Sequence, residues 1–420
     1  MSAPSRRPES FPVHAFTGNR VKRNQVKAME RESIPAVAKD SFQEQTSVPA
    51  DTLLRVAQPP EASLQGSVLM LIQFDVSEEI RLDELRNIFG ARTVEASFKH
   101  PAPGYVRYQR APVVEPIEPL LLESGERLEG QIKYYDYGVL SVVFELPFSG
   151  DWDTLVRLAG RWMSDTEFTS LATRIVKQKL QRATPALVKP YADWLNEDYF
   201  IFHVREIAGA PSAADLLAEH ADHIAQIVRG ETAKLSDGER QEIMQSHISY
   251  YPNDLAVIGW NGAFIYDSAP GAETAIQLLE YANSQLLEFR HYDELLSRQL
   301  EGVYDFLEHG GKGMFARWRM AREASRLHTV LLDVTELTER ADNAIKFLSD
   351  MFSARLYKLA ASKVGVPDYK NLVNQKVQTV EQLYRFMVDQ FHQSRAFILE
   401  LLVVIILIID LFFLFRGKPV

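Results

Sequence analysis

The feature that most constrains this chain is an apolar run close to its C-terminus, from Ala396 to Phe415. It reads AFILELLVVIILIIDLFFLF, and a helix of about 20 apolar residues matches the thickness of a membrane's hydrocarbon core. Two acids interrupt the run, Glu400 and Asp410, and they oppose insertion by at most about 7 kcal/mol, against roughly 5–10 kcal/mol from the Leu, Ile, Val and Phe residues. The sequence therefore predicts one C-terminal transmembrane helix rather than a buried core helix.

The position of this run predicts a topology as well. Only the residues from Arg416 to Val420 follow it, so such a helix would insert after synthesis has finished. We expect a tail-anchored, single-pass membrane protein whose N-terminal domain stays in the cytoplasm, at a bacterial inner membrane. The alternative is the mitochondrial inner membrane, with the domain facing the matrix.

Charge is distributed unevenly along the chain. The net charge of −10 argues against broad nucleic-acid binding, but the first 31 residues carry seven Lys or Arg and two Glu, which gives about +5. Residues 1–60 have no sustained apolar period and predict a disordered basic arm that contacts acidic partners or acts as a mitochondrial presequence. The chain has no cysteine, which excludes disulfides and thiolate chemistry.

Residues 61–270 carry mixed strand and helix patterns. Val68 to Phe74 reads as a buried strand, followed by helical spacing from Ile80 to Phe89. A turn at 136–138 predicts a hairpin, Asp151 predicts a helix cap, and Asn261 before Gly262 predicts a second hairpin turn. We therefore predict an α+β soluble domain here.

Residues 271–395 have helical character. Two heptad stripes lie on either side of a Gly-Val-Pro break at 365–367. These patterns predict a long antiparallel helical hairpin or coiled coil that continues into the transmembrane helix at 396–415. The stripes favour packing within one chain, and they also permit a homo-oligomer. Their members are Val334, Leu337, Ala341, Ala344, Leu348 and Met351, then Val373, Val377, Val380, Tyr384, Met387 and Phe391.

Histidines offer one candidate for metal or base chemistry. His220 and His223 share a helix face, with Asp222 between them and His247 further along. The spacing differs from the i, i+4 zinc pattern, and Ala221 stands where a zinc protease has Glu. The residues from His309 to Gly313 resemble a phosphate loop only superficially, because the Lys is not followed by Ser or Thr. No cofactor, metal or catalytic residue is predicted, and a non-enzymatic role is favoured.

Two further sets of residues are candidates for binding. The first is a basic stretch on a predicted helix that also includes Trp318. It could bind RNA phosphates or anionic lipid headgroups, or it could be a solvent-exposed face of the helix. Glu400 and Asp410 lie ten residues apart, and acids inside a span normally face protein or water. The basic stretch consists of Lys312, Arg317, Arg319, Arg322 and Arg326.

The C-terminal residues also resemble a known family. The segment from Arg395 to Glu400, with a second acid at Asp410, is similar to the terminal span of the domain-of-unknown-function 155 family, named "required for meiotic nuclear division". The hairpin around Tyr135 to Phe144 and the segment Ala282 to Leu286 resemble its other motifs. The resemblance implies a membrane-bound, non-catalytic protein that, in mitochondrial members, supports translation by associating with ribosomes.

Together these observations favour an oligomeric, tail-anchored scaffold that supports translation or complex assembly at the membrane. Its predicted partners are the membrane, further copies of itself, and a ribosome or other membrane-associated complex. The first alternative is a transport or channel component, resembling magnesium transporters of the CorA type in layout only. The second is a His-dependent hydrolase. Glu400 and Asp410 are the predicted intramembrane interaction residues.

Overall fold

The computed structural model describes residues 64–90, 94–95, 106–108, 110–122, 125–164, 167–309, 314–342, 345–347 and 351–417. These residues form a nine-stranded mixed sheet, a separate two-stranded sheet, and helices on both faces of the large sheet. The strands are β1 Leu64–Ile80, β2 Val94–Glu95, β3 Val106–Tyr108, β4 Val113–Leu121, β5 Arg127–Tyr134, β6 Val139–Gly150, β7 Leu187–Ile207, β8 His247–Ile248, β9 Leu255–Ile258, β10 Gly262–Tyr266 and β11 Ile345–Phe347.

Ten α-helices accompany these strands in the described ranges, with one 3₁₀ turn at Thr184–Ala186. They are α1 Leu82–Phe89, α2 Trp152–Ser164, α3 Glu167–Ala183, α4 Ala213–Glu219, α5 Ala221–Arg229, α6 Asp237–Met244, α7 Ala269–His309, α8 Met314–Asp342, α9 Met351–Val364 and α10 Val366–Phe415. The strand order in the large sheet is β2-β4-β5-β6-β1-β7-β10-β9-β8.

Strand β1 is the centre of the large sheet and is buried on both faces. Its side chains alternate between faces, so Val68, Met70 and Ile72 pack into one apolar core while Leu69 and Leu71 pack into the other. The first core contains residues of α1, α2, α3 and α5. The second contains residues of α7, α8, α9 and α10. The sheet therefore separates two helical layers.

Several local predictions are confirmed. Strands β5 and β6 pair as a hairpin, and its turn contains Gly138 with φ +97°, a backbone conformation that glycine adopts without strain. Asp151 accepts a hydrogen bond from the backbone N–H of Thr154 at 2.8 Å and so caps α2. Strands β9 and β10 form the second hairpin around the Asn261 turn. These signals depend on neighbouring residues alone.

The predicted fold class, an α+β domain followed by a separate helical hairpin and a transmembrane helix, was wrong. The structure is a mixed α/β arrangement in which β10 pairs with β7 in parallel, while the other strand pairs of this sheet are antiparallel. Helix α7 packs directly on β1, β6 and β7, because its apolar residues belong to the core on that face. The helices therefore complete the sheet's second core.

The first heptad stripe does not lie on one continuous helix. Helix α8 ends at Asp342, and the short strand β11 precedes α9. Val334 is buried but Met351 is 72% exposed, and the side chains of Leu337, Ala341, Ala344 and Leu348 lie outside the described residues. Val373, Val380 and Met387 on α10 are buried, Val377 and Tyr384 are half-buried, and the side chain of Phe391 is not among those described.

The predicted transmembrane helix at 396–415 is not found. In the ranges given above, no helix is long and apolar enough to cross a membrane. The predictions of a tail anchor and of a single-pass localisation in a bacterial or mitochondrial inner membrane were therefore wrong. An interaction role for Glu400 and Asp410 stays a prediction.

Candidate functional site

A layer of polar side chains lies inside the protein, between the large sheet and α7. On the α7 side of β1, the pattern changes from Leu69 and Leu71 to Gln73, Asp75 and Ser77, all of which are buried. The strand register continues this polar row sideways, because Gln73 pairs with Ser141 on β6 and Ser141 pairs with Lys133 on β5. Ser141 and Lys133 are also buried.

Helix α7 places its own polar side chains over this row. Gln277, Glu280, Ser284, Glu288 and His291 are separated by three or four residues and are all buried, so they share one face of the helix. Residues that are buried on the remaining surface of α7, such as Leu279 and Leu287, contribute to the apolar core. We call the polar side chains of the two elements together the polar layer.

The centre of the polar layer is an ion pair between Lys133 and Glu280. The Lys133 ammonium contacts Glu280 Oε2, and the side chains are 9% and 0% exposed, respectively. The amide Nε2 of Gln73 donates a hydrogen bond to the backbone oxygen of Glu280 at 2.8 Å. Burying a charge without a partner is strongly unfavourable, so each member of the pair depends on the other.

A second contact in the polar layer joins Asp75 to His291. His291 Nδ1 lies 2.8 Å from Asp75 Oδ2, although within the described structure neither carboxyl oxygen has a partner with hydrogen-bond geometry. Tyr191 of β7 stacks on the imidazole at 4.3 Å with an interplanar angle of 19°. Burial raises the pKa of the Asp75 carboxyl well above its ordinary value, and burial lowers the pKa of His291 while Glu288 opposes that shift.

Two tyrosines complete the layer. The hydroxyl of Tyr137 lies 2.8 Å from Ser284 Oγ, and the hydroxyl of Tyr292 donates to a carboxylate oxygen of Glu288. Burial raises the pKa of Tyr292, and the nearby Glu288 charge adds to the increase. The Tyr137 contact joins the turn between β5 and β6 to α7, whereas Tyr292 and Glu288 both belong to α7. With the Lys133 and Asp75 contacts, the Tyr137 contact fixes the position of α7 on the sheet.

Sequence reasoning missed the polar layer. The signal that marks it is the alternation Gln73, Asp75, Ser77 at the end of an otherwise apolar strand, combined with polar residues at helical spacing in α7. Neither pattern shows by itself that the two elements face each other. Within the described chain no group of three or more His, Asp or Glu side chains is placed to hold a metal ion.

The structure brings two of the three candidate histidines together. His220 stacks on Trp152 of α2 at 4.4 Å between ring centroids, and His223 lies 5.9 Å from His220. Burial lowers the pKa of His220, and the neighbouring His223 lowers it further. His247 is not part of these stacks, and its Nδ1 lies 2.6 Å from the backbone oxygen of Met244. The arrangement is an aromatic packing contact between α2 and α5.

Only part of the predicted basic stretch can be placed. Arg322 and Arg326 on α8 are exposed, and Arg326 pairs with Glu323 one turn away at 2.9 Å. The side chains of Lys312, Arg317 and Arg319 lie outside the described residues. Arg326 also borders a cavity of about 310 Å³ between α7 and α8, whose floor includes Val303 and Leu327. Glu323 also lines this cavity and offsets the charge of Arg326.

The end of α10 is the largest exposed apolar feature of the described chain. Every residue from Leu402 to Phe415 is exposed, from Phe413 at 42% to Phe415 at 83%. Successive helical residues are about 100° apart, so this exposure extends around the whole circumference. Glu400 and Asp410 are exposed on the same helix. We call Leu402–Phe415 the terminal segment.

These features define a class of protein: a mixed α/β domain, closed on one face by a polar layer under a long helix, with an apolar helical end. Residues 65–273, from β1 to the start of α7, match the model of a family described as "Uncharacterized protein MJ0711, N-terminal domain". The chain is 19% identical to "Uncharacterized protein MJ0711" of Methanocaldococcus jannaschii over 237 residues, which are 56% of this chain and 71% of that protein. No solved structure matches. The resemblance to the domain-of-unknown-function 155 family is not confirmed by these matches.

Proposed function

We propose that this protein is a non-enzymatic scaffold that self-associates through the terminal segment of α10. The observation that carries the proposal is the exposure of every side chain from Leu402 to Phe415. A helix that is apolar on all sides is normally buried on all sides. Fully burying one Val, Leu, Ile or Phe side chain stabilises an assembly by about 1.5–3 kcal/mol, so covering the segment is strongly favourable.

The occupant we propose is the same segment of further copies. A groove on one unrelated partner would cover one side of the helix, whereas in a bundle of identical helices each helix is covered by neighbours on more than one side, at matched length. Closed homo-oligomers are also the commonest protein assemblies. The upstream part of α10 is already packed, since Val373, Val380 and Met387 are buried in the core, so the segment is presented by a fixed helix.

The polar layer supports a structural rather than a catalytic interpretation of the α/β domain. At its centre, Lys133 and Glu280 are paired and buried. A layer that fixes α7 on the sheet also fixes α10, because Lys376 of α10 donates to Ser297 Oγ of α7 at 2.6 Å. The domain therefore holds the assembly helix in a defined direction.

The resemblance of the C-terminal residues to the domain-of-unknown-function 155 family supports a finer version of this proposal. In it, the oligomer assists translation or complex assembly by contacting a ribosome or another large complex. Arg322 and Arg326 are the described members of the basic stretch that would reach such a partner. The terminal acids Glu400 and Asp410 would set how the copies align.

Chemical crosslinking of the full-length chain tests the proposal. We expect a ladder of crosslinked species for the parent protein, and a weaker ladder for Ile405→Ser/Phe412→Ser, which places hydroxyls on one face of the terminal segment. Leu121→Ser is the matched control, because Leu121 is an equally apolar side chain that is 77% exposed on the edge strand β4. Identical ladders for all three proteins would reject self-association through α10. Recovery of the parent chain as a monomer bound to added lipid vesicles would reject it as well.

A further inference from the structure

An exposed aromatic surface lies where the loop between β8 and β9 meets the first turn of α9. Tyr250 and Tyr251 are 61% and 62% exposed, and Met351 is 72% exposed. The Tyr250 ring packs edge-to-face against both Tyr251, at 4.7 Å, and Phe352, at 5.0 Å between centroids. We call Tyr250, Tyr251, Met351, Phe352 and Arg355 the Tyr250 surface.

The loop that presents the two tyrosines is held in one conformation. The carboxylate of Asp254 accepts hydrogen bonds from the backbone N–H groups of both Tyr250 and Tyr251, each at 2.7 Å. The backbone N–H of Ala213 donates to the oxygen of Pro252 at 2.7 Å and ties the loop to the start of α4. A surface that is already ordered loses less conformational entropy when a partner binds.

The charge of this surface differs from that of the whole chain. Arg355 lies 5.9 Å from the Phe352 ring centroid, and Lys358 is exposed one turn further along the same face of α9. The neighbouring Glu242 is paired with Lys363 at 2.6 Å, and the Asp254 carboxylate is used by the loop. Within the part of the chain that the structure describes, Arg355 and Lys358 therefore lie beside three aromatic rings without an ion pair to an acid, on a protein whose net charge is −10.

We propose that the Tyr250 surface is the docking site for an acidic segment of a partner protein that carries an aromatic or aliphatic anchor residue. Tyr, Phe, Met and Arg are the residues enriched at the centres of protein interfaces, and the two cations complement an acidic chain. A second copy meeting this surface across a two-fold axis would bring the same cations together.

Selection of displayed random 12-residue peptides on the full-length chain tests this proposal. We expect the enriched sequences to combine Asp or Glu with an aromatic or aliphatic residue. These peptides are then synthesised and labelled. Their affinity for the variant Tyr250→Ser/Tyr251→Ser should be at least tenfold lower than their affinity for the parent protein. The control is Trp260→Ser, which removes an aromatic side chain that is 67% exposed at another turn and should leave the affinity unchanged.

A charge-reversed variant keeps the test decisive if the tyrosine variant fails to fold. Selection on Arg355→Glu/Lys358→Glu should enrich Lys- or Arg-containing peptides in place of acidic ones. Peptides that lack acids, or that bind the tyrosine variant and the parent equally, would overturn the proposal. Binding of a 12-nucleotide oligouridylate that these variants abolish, without any acidic peptide, would also overturn it and indicate nucleic acid. The inference does not depend on self-association, because these variants should leave the crosslinked ladder unchanged.

Discussion

His291 Nδ1 lies 2.8 Å from Asp75 Oδ2, with both side chains buried between α7 and the central strand of the sheet. An interface between a helix and a buried strand is ordinarily apolar, and here polar residues occupy its middle. Lys133 and Glu280 make a second such contact in the same layer. These pairs explain how one helix is fixed on the sheet in a single register, and they lead to measurable effects of pH and substitution.

The Asp75 and His291 pair predicts opposing pH effects on stability. Burial holds the pKa of His291 below its unfolded value of 6.5, so its stabilising contribution is present above about pH 6.5 and is lost as the pH falls toward the folded pKa. Burial raises the pKa of Asp75 above its unfolded value of 3.8, so the contribution of Asp75 is full below that value and is lost as the pH rises through the folded pKa.

The histidine effect is isolated in an Asp75→Asn background. There, His291→Gln should reduce the loss of unfolding free energy between pH 7.5 and pH 5, measured by urea denaturation. His247→Gln is the control, because His247 is an exposed histidine outside the polar layer. Equal pH dependence in the His291 and His247 variants would contradict the assigned role of burial at His291.

Removing one member of the buried ion pair should be strongly destabilising. Lys133→Met leaves the Glu280 carboxylate buried without its partner, which typically costs about 3–5 kcal/mol. The double variant Lys133→Met/Glu280→Met removes both charges and should recover most of that loss. A double-mutant cycle from urea unfolding measures the coupling between the two residues. Additive effects of the two single variants would show that the pair is not the contact described.

The hairpin turn predicts a position that tolerates no side chain. Gly138 has φ +97°, and a Cβ there would lie 1.7 Å from the backbone oxygen of Ser77, so Gly138→Ala must displace the turn from β1. We expect a loss of about 1–3 kcal/mol or more. Gly125→Ala is the matched control, since Gly125 also has a positive φ of +87° but no atom within 4 Å of the added Cβ. Thermal unfolding should show a much smaller shift for the control.

Local features of the fold could be predicted from the sequence. The strand at Val68 to Phe74, the cap at Asp151 and the turns at Gly138 and Asn261 depend on residues within a few positions of each other. Their physical causes, a continuous apolar run, side-chain capping and the positive φ of Gly138, act within one element. The helical character after residue 270 was also predicted correctly, since α7, α8, α9 and α10 occupy it.

The relation between distant elements could not be predicted in the same way. Lys133 and Glu280 are 147 positions apart, and a single sequence contains no signal that pairs them. The helical region was assigned to a separate hairpin because heptad spacing shows that a helix has an apolar face without showing what that face contacts. For the same reason, the apolar residues before Arg416 were assigned to a membrane span.

Sedimentation velocity of the full-length chain, over a hundredfold range of concentration, tests the central claim most directly. Self-association through the terminal segment predicts a species heavier than the 47.8 kDa monomer that dissociates on dilution. Ile405→Ser/Phe412→Ser should shift the distribution toward the monomer, and Leu121→Ser should not. A parent protein that sediments as a monomer at every concentration, or a terminal-segment variant that sediments like the parent, would contradict the account.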